Sequence, residues 1–226
     1  MTPAAWLLAV PALWGAYTWG SHLLTPACVW RGRRTERAVA LTFDDGPDPD
    51  HTPAVLDLLA RESVTAAFFL IGWRTAAAPE LARRIAGAGH DLGNHTLSHR
   101  SLWGLGPRET EREMRGGHDA IAQAAGRAPA FFRPPWGKTN LAMFPTLRQL
   151  GTPCVFWTVQ PEGRHAVAPE EQLRHAAARA RPGAIFDLHD ADGVPGAGER
   201  LLAALPRLIS GLRSEGYRLV PLRDLL

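Results

Sequence analysis

The sequence predicts one α/β domain with a mostly parallel β-sheet, arranged as a barrel of (β/α) units. The chain has 226 residues, of which 46% are hydrophobic and 21% charged, and these proportions suit a single globular domain with a full core. Short apolar runs alternate with amphipathic helical segments, which favours a parallel sheet. Polar clusters follow several of these runs, as expected where a (β/α) barrel carries its active site.

The first elements follow from short sequence signals. Residues 38–43 (AVALTF) are apolar and partly β-branched, which predicts a strand, and the acidic sequence DDGPDPD after them predicts a loop. Thr52 and Pro53 mark the start of an amphipathic helix, since proline is favoured in the first helical turn. A second apolar run at 66–71 predicts the next strand.

The same alternation continues to the end of the chain. Pro79 opens a helix that Gly89 closes, and a strand at 91–95 follows. Pro107 then begins a charged helix that extends to about residue 125. Further strands are predicted at 131–132, 155–159, 184–189 and 218–221, and further helices at 141–150, 169–180 and 201–212.

Residues 1–30 form a separate hydrophobic segment. They contain no charged side chain, and the run from Trp6 to Trp19 carries three tryptophans. No lysine or arginine precedes this run, so we predict an uncleaved hydrophobic helix that anchors the chain in a membrane. Prolines and glycines within the segment leave an interfacial or core-buried helix as the alternative. The arginine cluster at 31–37 favours the cytoplasmic side for the domain that follows.

Charge and cysteine usage argue against other classes of protein. Four arginines and one glutamate between residues 31 and 37 account for the whole formal charge of +3, and without a second basic cluster nucleic-acid binding is not expected. Cys28 and Cys154 lie far apart in sequence. We therefore predict neither a disulfide nor a cysteine metal site, and expect both to be small buried apolar residues.

Two adjacent carboxylates follow the first strand. Asp44 and Asp45 stand at its end, and Gly46 and Pro47 turn the chain away. Because adjacent side chains point in different directions, one carboxylate can bind a metal while the other acts as a general base. The alternative is a solvated Asp-Gly-Pro turn.

His95 and His99 form an H-x-x-x-H pair after the third strand. On one helical turn, residues four apart share a face, so the two imidazoles could bind one cation. With Asp45 they would make a set of two histidines and one carboxylate that leaves positions open for water and substrate. Two surface histidines are the alternative.

Two further polar clusters also lie at strand ends. Arg133 follows the strand at 131–132 and could orient Asp44, while the rigid turn with Pro134 and Trp136 could present a backbone N–H to an oxyanion. A purely structural turn is the alternative there. Leu188, His189 and Asp190 end the strand at 184–189, where a histidine beside a carboxylate is a plausible general acid.

Four motifs, in this order, resemble those of the polysaccharide deacetylases, the NodB homology domain of carbohydrate esterase family 4. They are TFDDGP at 42–47, HTLSH at 95–99, RPPWG at 133–137 and LHD at 188–190. The resemblance spans about residues 38–222 and implies a distorted (β/α) barrel. It also implies metal-dependent hydrolysis of an N-acyl group, usually N-acetyl, on an amino sugar, with zinc the usual metal.

The resemblance also implies a role for each matching residue. Asp44 corresponds to the catalytic base and His189 to the general acid. Asp45, His95 and His99 correspond to the metal ligands. The positioning and substrate-binding set is Arg133, which orients the base, Pro134, Trp136 in place of the usual tyrosine whose backbone N–H faces the oxyanion, Leu188 in the pocket wall, and Asp190.

The segment after Trp157 departs from the family pattern. Where the family commonly has an Asp and an Asp-Trp pair, residues 160–164 read QPEGR, and Glu162 is the candidate substitute. The sequence therefore does not predict a preference for long polymers, and the substrate alternatives are a polysaccharide, peptidoglycan or a lipid-linked glycan. The rival hypotheses are a non-catalytic carbohydrate-binding or membrane-scaffold protein and a metal hydrolase of another ester or amide.

Overall fold

The computed structural model describes residues 3–161, 168–191 and 195–226. Within these ranges, six strands form one sheet in the order β4-β3-β2-β1-β5, and β6 pairs with the start of β1. Every pairing is parallel, so the carboxyl ends of the strands lie at one edge of the sheet. The strands are β1 (Ala38–Asp44), β2 (Ala67–Leu70), β3 (Asp91–Asn94), β4 (Phe131–Phe132), β5 (Ala184–His189) and β6 (Arg218–Leu219).

Helices occupy the connections between the strands. A proline stands at one of the first two positions of α2, α4, α5 and α7. Proline has no N–H, and at these positions an N–H would have no partner within the helix. These starts confirm the helices that were predicted from the same prolines. The helices are α1 (Pro3–Trp19), α2 (Thr52–Arg61), α3 (Gly72–Ala77), α4 (Pro79–Gly87), α5 (Pro107–Ala125), α6 (Met143–Leu150), α7 (Pro169–Arg179), α8 (Ala197–Ser214) and α9 (Leu222–Leu225).

The central strand β1 is buried along its whole length. Its alternate side chains enter two different apolar clusters, because successive residues of a strand face opposite sides of a sheet. Val39, Leu41 and Phe43 belong to a cluster formed with α2, α4, α5, α7 and α8. Ala38 and Ala40 belong to a second cluster, which α9 helps to form. Burial on both faces is typical of strands in parallel sheets.

The predicted strand at 155–159 is wrong, because the segment makes only isolated bridges. Cys154 pairs with Phe132 of β4, and Val159 pairs with Phe186 of β5. Between these points the segment passes from β4 to β5, and near β5 the Thr158 hydroxyl, rather than a backbone carbonyl, accepts the hydrogen bond from Ile185 N at 2.9 Å. The segment nevertheless contacts both outer strands, β4 and β5.

The N-terminal segment packs on the loop after β4. Tyr17 O accepts a hydrogen bond from Leu141 N at 3.1 Å, and the Ser21 and Thr139 hydroxyl oxygens lie 2.7 Å apart. Among the described residues, none of the helices combines the length and apolar character that a membrane crossing requires. The large apolar side chains that this segment exposes are Val10, Leu13, Trp14, Trp19, Leu23, Leu24 and Trp30.

Candidate metal and catalytic site

The two adjacent aspartates lie at the carboxyl end of β1 and are both buried. Asp44 is the register partner of Phe69 on one side and of His189 on the other. Asp45 has a φ of 72°, in the left-handed region that non-glycine residues seldom adopt, and this turns the chain out of the strand. Asp44 and Asp45 are only 3% and 5% exposed, so the alternative of a solvated turn is wrong.

His95 and His99 do not share a helical turn, so that part of the prediction is wrong. The residues after β3 form a loop in which Thr96 has a φ of 71° and His99 a φ of 58°. The Thr96 hydroxyl accepts a hydrogen bond from His99 N at 3.1 Å, which closes the loop. The two imidazole centroids are 4.9 Å apart. A tight loop with two residues of positive φ thus brings together the imidazoles of His95 and His99, the pair that the sequence spacing indicated.

The predicted ligand set of Asp45, His95 and His99 does converge. One potential ligand atom from each residue lies within 4.8 Å of the other two. Asp45 Oδ1 is 3.0 Å from His99 Nε2 and 3.6 Å from His95 Nε2. The other ring nitrogen of His95, Nδ1, donates to Arg133 O at 2.8 Å, and this bond directs Nε2 toward the cluster.

The chemistry of this cluster fits a divalent cation. Asp45 Oδ1 is buried, and within the described residues no donor reaches it with hydrogen-bond geometry. Burial by itself would raise the pKa of Asp45, but the close approach of His99 Nε2, 3.0 Å from Asp45 Oδ1, and the other imidazoles nearby hold that pKa below its ordinary value. Burial, followed by the charge of His99, lowers the pKa of His95 to about 3, so this imidazole is neutral, as a metal ligand must be.

Arg133 is fully buried and forms hydrogen bonds with side chains of β1 and β5, among them that of Asp44, the predicted base. Its Nη1 donates to Asp44 Oδ1 at 2.6 Å, to Thr42 Oγ1 at 2.9 Å and to Asp187 Oδ1 at 3.1 Å. Its Nε and Nη2 donate to the carbonyls of Val155 and Phe156. Burial raises the pKa of Asp44, which Arg133 partly opposes, and a raised pKa suits a group that must accept a proton.

Asp187 was missed from the sequence. It is 1% exposed, lies within β5 and shares Arg133 with Asp44. The signal was an acidic residue in the otherwise apolar run AIFDLH, because a carboxylate inside a buried strand requires a partner.

Gly93 of β3 makes room for the ring that supports Arg133. The guanidinium carbon of Arg133 lies 4.0 Å from the centroid of the Phe69 ring. A Cβ at position 93 would lie 2.3 Å from Cδ1 of Phe69, well inside van der Waals contact. Phe69 can pack under Arg133 only because residue 93 is a glycine and has no side chain.

Glu113 of α5 holds the loop that carries the two histidines, and it too was missed. Its Oε2 accepts a hydrogen bond from Ser98 N at 2.8 Å, and its Oε1 accepts one from the Ser98 hydroxyl at 2.6 Å. Its backbone oxygen accepts a further bond from Leu97 N at 2.8 Å. Nothing in the sequence distinguishes Glu113 from the other acidic residues of α5.

Trp136 contacts one of the histidines. It lies in a short 3-10 turn, Pro135–Gly137, and has a φ of 53°. Its ring centroid is 4.4 Å from that of His99, and the side chain is 59% exposed. Pro134 immediately precedes this turn. The arrangement puts an aromatic surface beside the candidate metal ligands and open to solvent.

The three residues that end β5 have different environments. His189 lies beside Asp44 in the sheet, where a positive charge on its ring would lower the pKa of both Asp44 and Asp45. Leu188 packs in the apolar cluster under α8 and lines a small cavity there. Asp190 is fully buried and accepts a hydrogen bond from the Thr52 hydroxyl, and burial raises its pKa to about 7. Glu162, the candidate substitute in the divergent segment, lies outside the described residues.

Comparisons with known proteins agree with this arrangement. Residues 31–155 match the family model described as polysaccharide deacetylase. The chain is 35% identical to a peptidoglycan-N-acetylglucosamine deacetylase of Bacillus cereus, with 87% of this chain and 92% of the relative covered. It is 37% identical to a chitooligosaccharide deacetylase of Bradyrhizobium, with 84% and 90% covered.

A solved structure extends the similarity to the whole chain. The crystal structure of the Bc1960 peptidoglycan N-acetylglucosamine deacetylase superposes with a TM-score of 0.83 at 30% identity, and covers 100% of this chain and 97% of that one. The family match includes more than half of the chain, and within it lie β1 with its two aspartates, the histidine loop and Arg133. The chain therefore belongs to the polysaccharide deacetylase family, the NodB-type carbohydrate esterases of family 4.

Proposed function

We propose that this protein is a metal-dependent hydrolase that removes an N-acyl group, most directly N-acetyl, from an amino sugar in a glycan. The observation that carries the proposal is the convergence of Asp45, His95 and His99 beside the pair formed by Arg133 and Asp44. The names of the relatives, which deacetylate peptidoglycan N-acetylglucosamine or chitooligosaccharides, support N-acetylglucosamine units as the substrate class.

The metal position is proposed for Asp45, His95 and His99, with zinc as the first candidate. A divalent cation there would act as a Lewis acid on the acyl carbonyl and would make water a stronger nucleophile at neutral pH. The protein supplies the orientation of the ligands. Glu113 fixes Ser98 between the two histidines, and Arg133 O fixes the tautomer of His95.

Asp44 is proposed as the general base and His189 as the general acid. Asp44 takes a proton from the attacking water, and the bond from Arg133 Nη1 keeps its Oδ1 fixed during the transfer. His189, the register partner of Asp44 on the neighbouring strand β5, protonates the leaving amine. The backbone N–H of Trp136 is the proposed donor to the oxyanion, and the Trp136 ring forms part of the sugar-binding surface. Leu188, Pro134 and Asp190 are proposed as positioning residues.

We further propose that the catalytic domain comprises residues 38–222 and that the sheet is a distorted (β/α) barrel. The bridges of the 154–159 segment to both β4 and β5 support this closure. Residues 1–30 are proposed to attach the protein to the cell membrane, with the domain on the cytoplasmic side. The uncharged sequence and the exposed apolar side chains of this segment support the attachment. Alkaline extraction of membranes from cells, with protease accessibility of the domain, tests the attachment and its side.

The activity is tested by mass spectrometry of sugars incubated with zinc-loaded protein. The panel comprises N-acetylglucosamine, chitooligosaccharides, peptidoglycan fragments and lipid-linked amino sugars, and Asp44→Asn is the control variant. Loss of one acetyl mass with the wild type but not with the variant supports the proposal. Metal-dependent sugar binding without any mass change would instead support the carbohydrate-binding alternative, and faster turnover of simple esters would support a different hydrolase.

A further inference from the structure

The two cysteines, far apart in sequence, lie on neighbouring stretches of backbone. Val29 and Val155 form a parallel bridge. Val29 N donates to Cys154 O at 2.8 Å, and Phe156 N donates to Val29 O at 2.7 Å. The extended chain that follows α1 and precedes β1 is thereby paired with the segment between β4 and β5. Both thiols are free in this structure, and their proximity was not foreseen from the sequence.

The register of this bridge makes Cys28 and Cys154 cross-strand neighbours. They immediately precede the paired valines, so their side chains leave the same face of the two-stranded ladder. Neighbouring strands are about 4.8 Å apart, which lies within the range of about 4.4–6.8 Å that Cα atoms span across a disulfide. Cys154 is part of a buried cluster against which Cys28 packs, so the two side chains point into the same space.

The environments of the two thiols differ in a way that suits stepwise oxidation. Cys154 is only 4% exposed, whereas Cys28 is half-buried. The hydrogen bond from the Cys154 thiol lowers the pKa of Cys28, and burial raises the pKa of Cys154 well above its ordinary value. Cys28 is therefore the more reactive and more accessible of the pair.

We propose that Cys28 and Cys154 form an intramolecular disulfide, which fastens the N-terminal segment to the deacetylase domain. The oxidant is a disulfide compound, for which oxidised glutathione serves as the probe. The Cys28 thiolate attacks one sulfur of the probe and releases one thiolate. The Cys154 thiol then gives up its proton and attacks the Cys28 sulfur, which releases the second thiolate. Two protein thiols are oxidised and one glutathione disulfide is reduced to two thiols.

Such a bond would have a structural consequence for the whole sheet. The chain between the two cysteines contains β1, β2, β3 and β4, so the disulfide would close a long loop in the unfolded state. The paired segment also provides the Val155 and Phe156 carbonyls that hold Arg133. Oxidation would thus strengthen the connection between the N-terminal segment and the backbone that positions this arginine.

The test compares the full chain after reduction and after incubation with oxidised glutathione. We expect the oxidised monomer to lose two hydrogen masses, and non-reducing peptide mapping to join the peptides that contain Cys28 and Cys154. The Tm should rise by about 5 °C or more on oxidation. Cys28→Ser is the matched control, and it should show neither the mass change nor the shift in Tm.

The proposal is rejected if both thiols of the wild type remain open to alkylation under denaturing conditions after this incubation. It is also rejected if the product is a disulfide-linked dimer or a stable glutathione adduct at Cys28. Because the mass and the linkage are read on the wild-type chain, a folding defect in the variant cannot hide either outcome.

Discussion

Asp44 and Asp187 bind the same nitrogen atom: Nη1 of Arg133 lies 2.6 Å from Oδ1 of Asp44 and 3.1 Å from Oδ1 of Asp187. Two buried carboxylates, one on β1 and one on β5, thus share one buried guanidinium. Burial keeps the pKa of Asp44 raised despite its short contact with Arg133. We therefore expect Asp187 to influence the proposed base through their shared contact with Arg133.

Replacing Asp187 with asparagine should lower the pKa of Asp44. The variant keeps an oxygen at this position but removes the competing negative charge, so Arg133 would act on Asp44 alone. We expect the acid limb of the pH profile of kcat/KM to move down by about one pH unit. An acid limb that stays in place would show that Asp187 has only a packing role.

Asp44→Asn should separate catalysis from metal binding. The amide cannot accept the proton from water, so turnover should fall by about 10²- to 10⁴-fold. Because Asp44 is not in the proposed ligand set, metal content measured by mass spectrometry should match that of the wild type. Loss of the metal in this variant would mean that Asp44 is itself a ligand.

His99→Gln should remove both metal and activity. It takes away one of the three converging ligand atoms, and the carboxylate of Asp45 loses its nearest imidazole. Metal stoichiometry and deacetylation should fall together. His175→Gln, on α7, is the matched control and should leave both unchanged. Full activity of the His99 variant would refute the proposed metal centre.

Glu113→Gln should weaken metal binding without removing a ligand. The neutral amide can accept a bond from Ser98 with its oxygen only, and it lacks the charge that strengthens both bonds, so the loop would hold His95 and His99 less firmly. We expect zinc affinity, measured by competition with a chelator, to fall about 10- to 100-fold. Ser98→Ala removes only the bond from the Ser98 hydroxyl and keeps the one from Ser98 N, so it should lower the zinc affinity less. A variant that is less stable but binds zinc normally would assign Glu113 a structural role only.

Asp190→Asn should alter the dependence of stability on pH. Asp190 is held protonated up to about pH 7 when folded, but ionises near its ordinary pKa of 3.8 when unfolded. Between these values the unfolded chain has released a proton that the folded chain retains, so the free energy of unfolding falls as the pH rises. The loss in the free energy of unfolding that Asp190 causes is complete above about pH 7 and absent below about pH 4.

The asparagine variant lacks this titration and can still accept the bond from Thr52. Its stability relative to the wild type should therefore rise from about pH 4 to about pH 7, by an amount on the order of a few kcal/mol. Urea denaturation at several pH values measures the difference. A constant difference across this range would show that Asp190 ionises alike in both states.

The parts of the fold that depend on local sequence were predictable. Prolines at helix starts and apolar runs located α2, α4, α5 and the long strands, and residues that follow those strands located the aspartates, the histidines and Arg133. The sequence did not reveal that Thr96 and His99 adopt positive φ, because neither is a glycine and the loop is stabilised from a distant helix.

The remaining failures have the same origin in long-range contacts. Residues 155–159 look like a strand, but the segment passes from β4 to β5 and makes only isolated bridges. The partners of Arg133 and of Ser98 come from segments more than ten residues away in the chain, so no local spacing identifies Asp187 or Glu113. Likewise, the contact of Cys28 with Cys154 exists only after the sheet has formed.

The close approach of Phe69 to Gly93 limits which positions can be varied to change the substrate. Any side chain at 93 would displace the Phe69 ring and, with it, the support of Arg133, although residue 93 itself has no catalytic group. In a mutational scan this glycine should therefore be as intolerant as a metal ligand. Libraries aimed at new sugar specificity would do better to keep β3 constant and diversify the exposed Trp136.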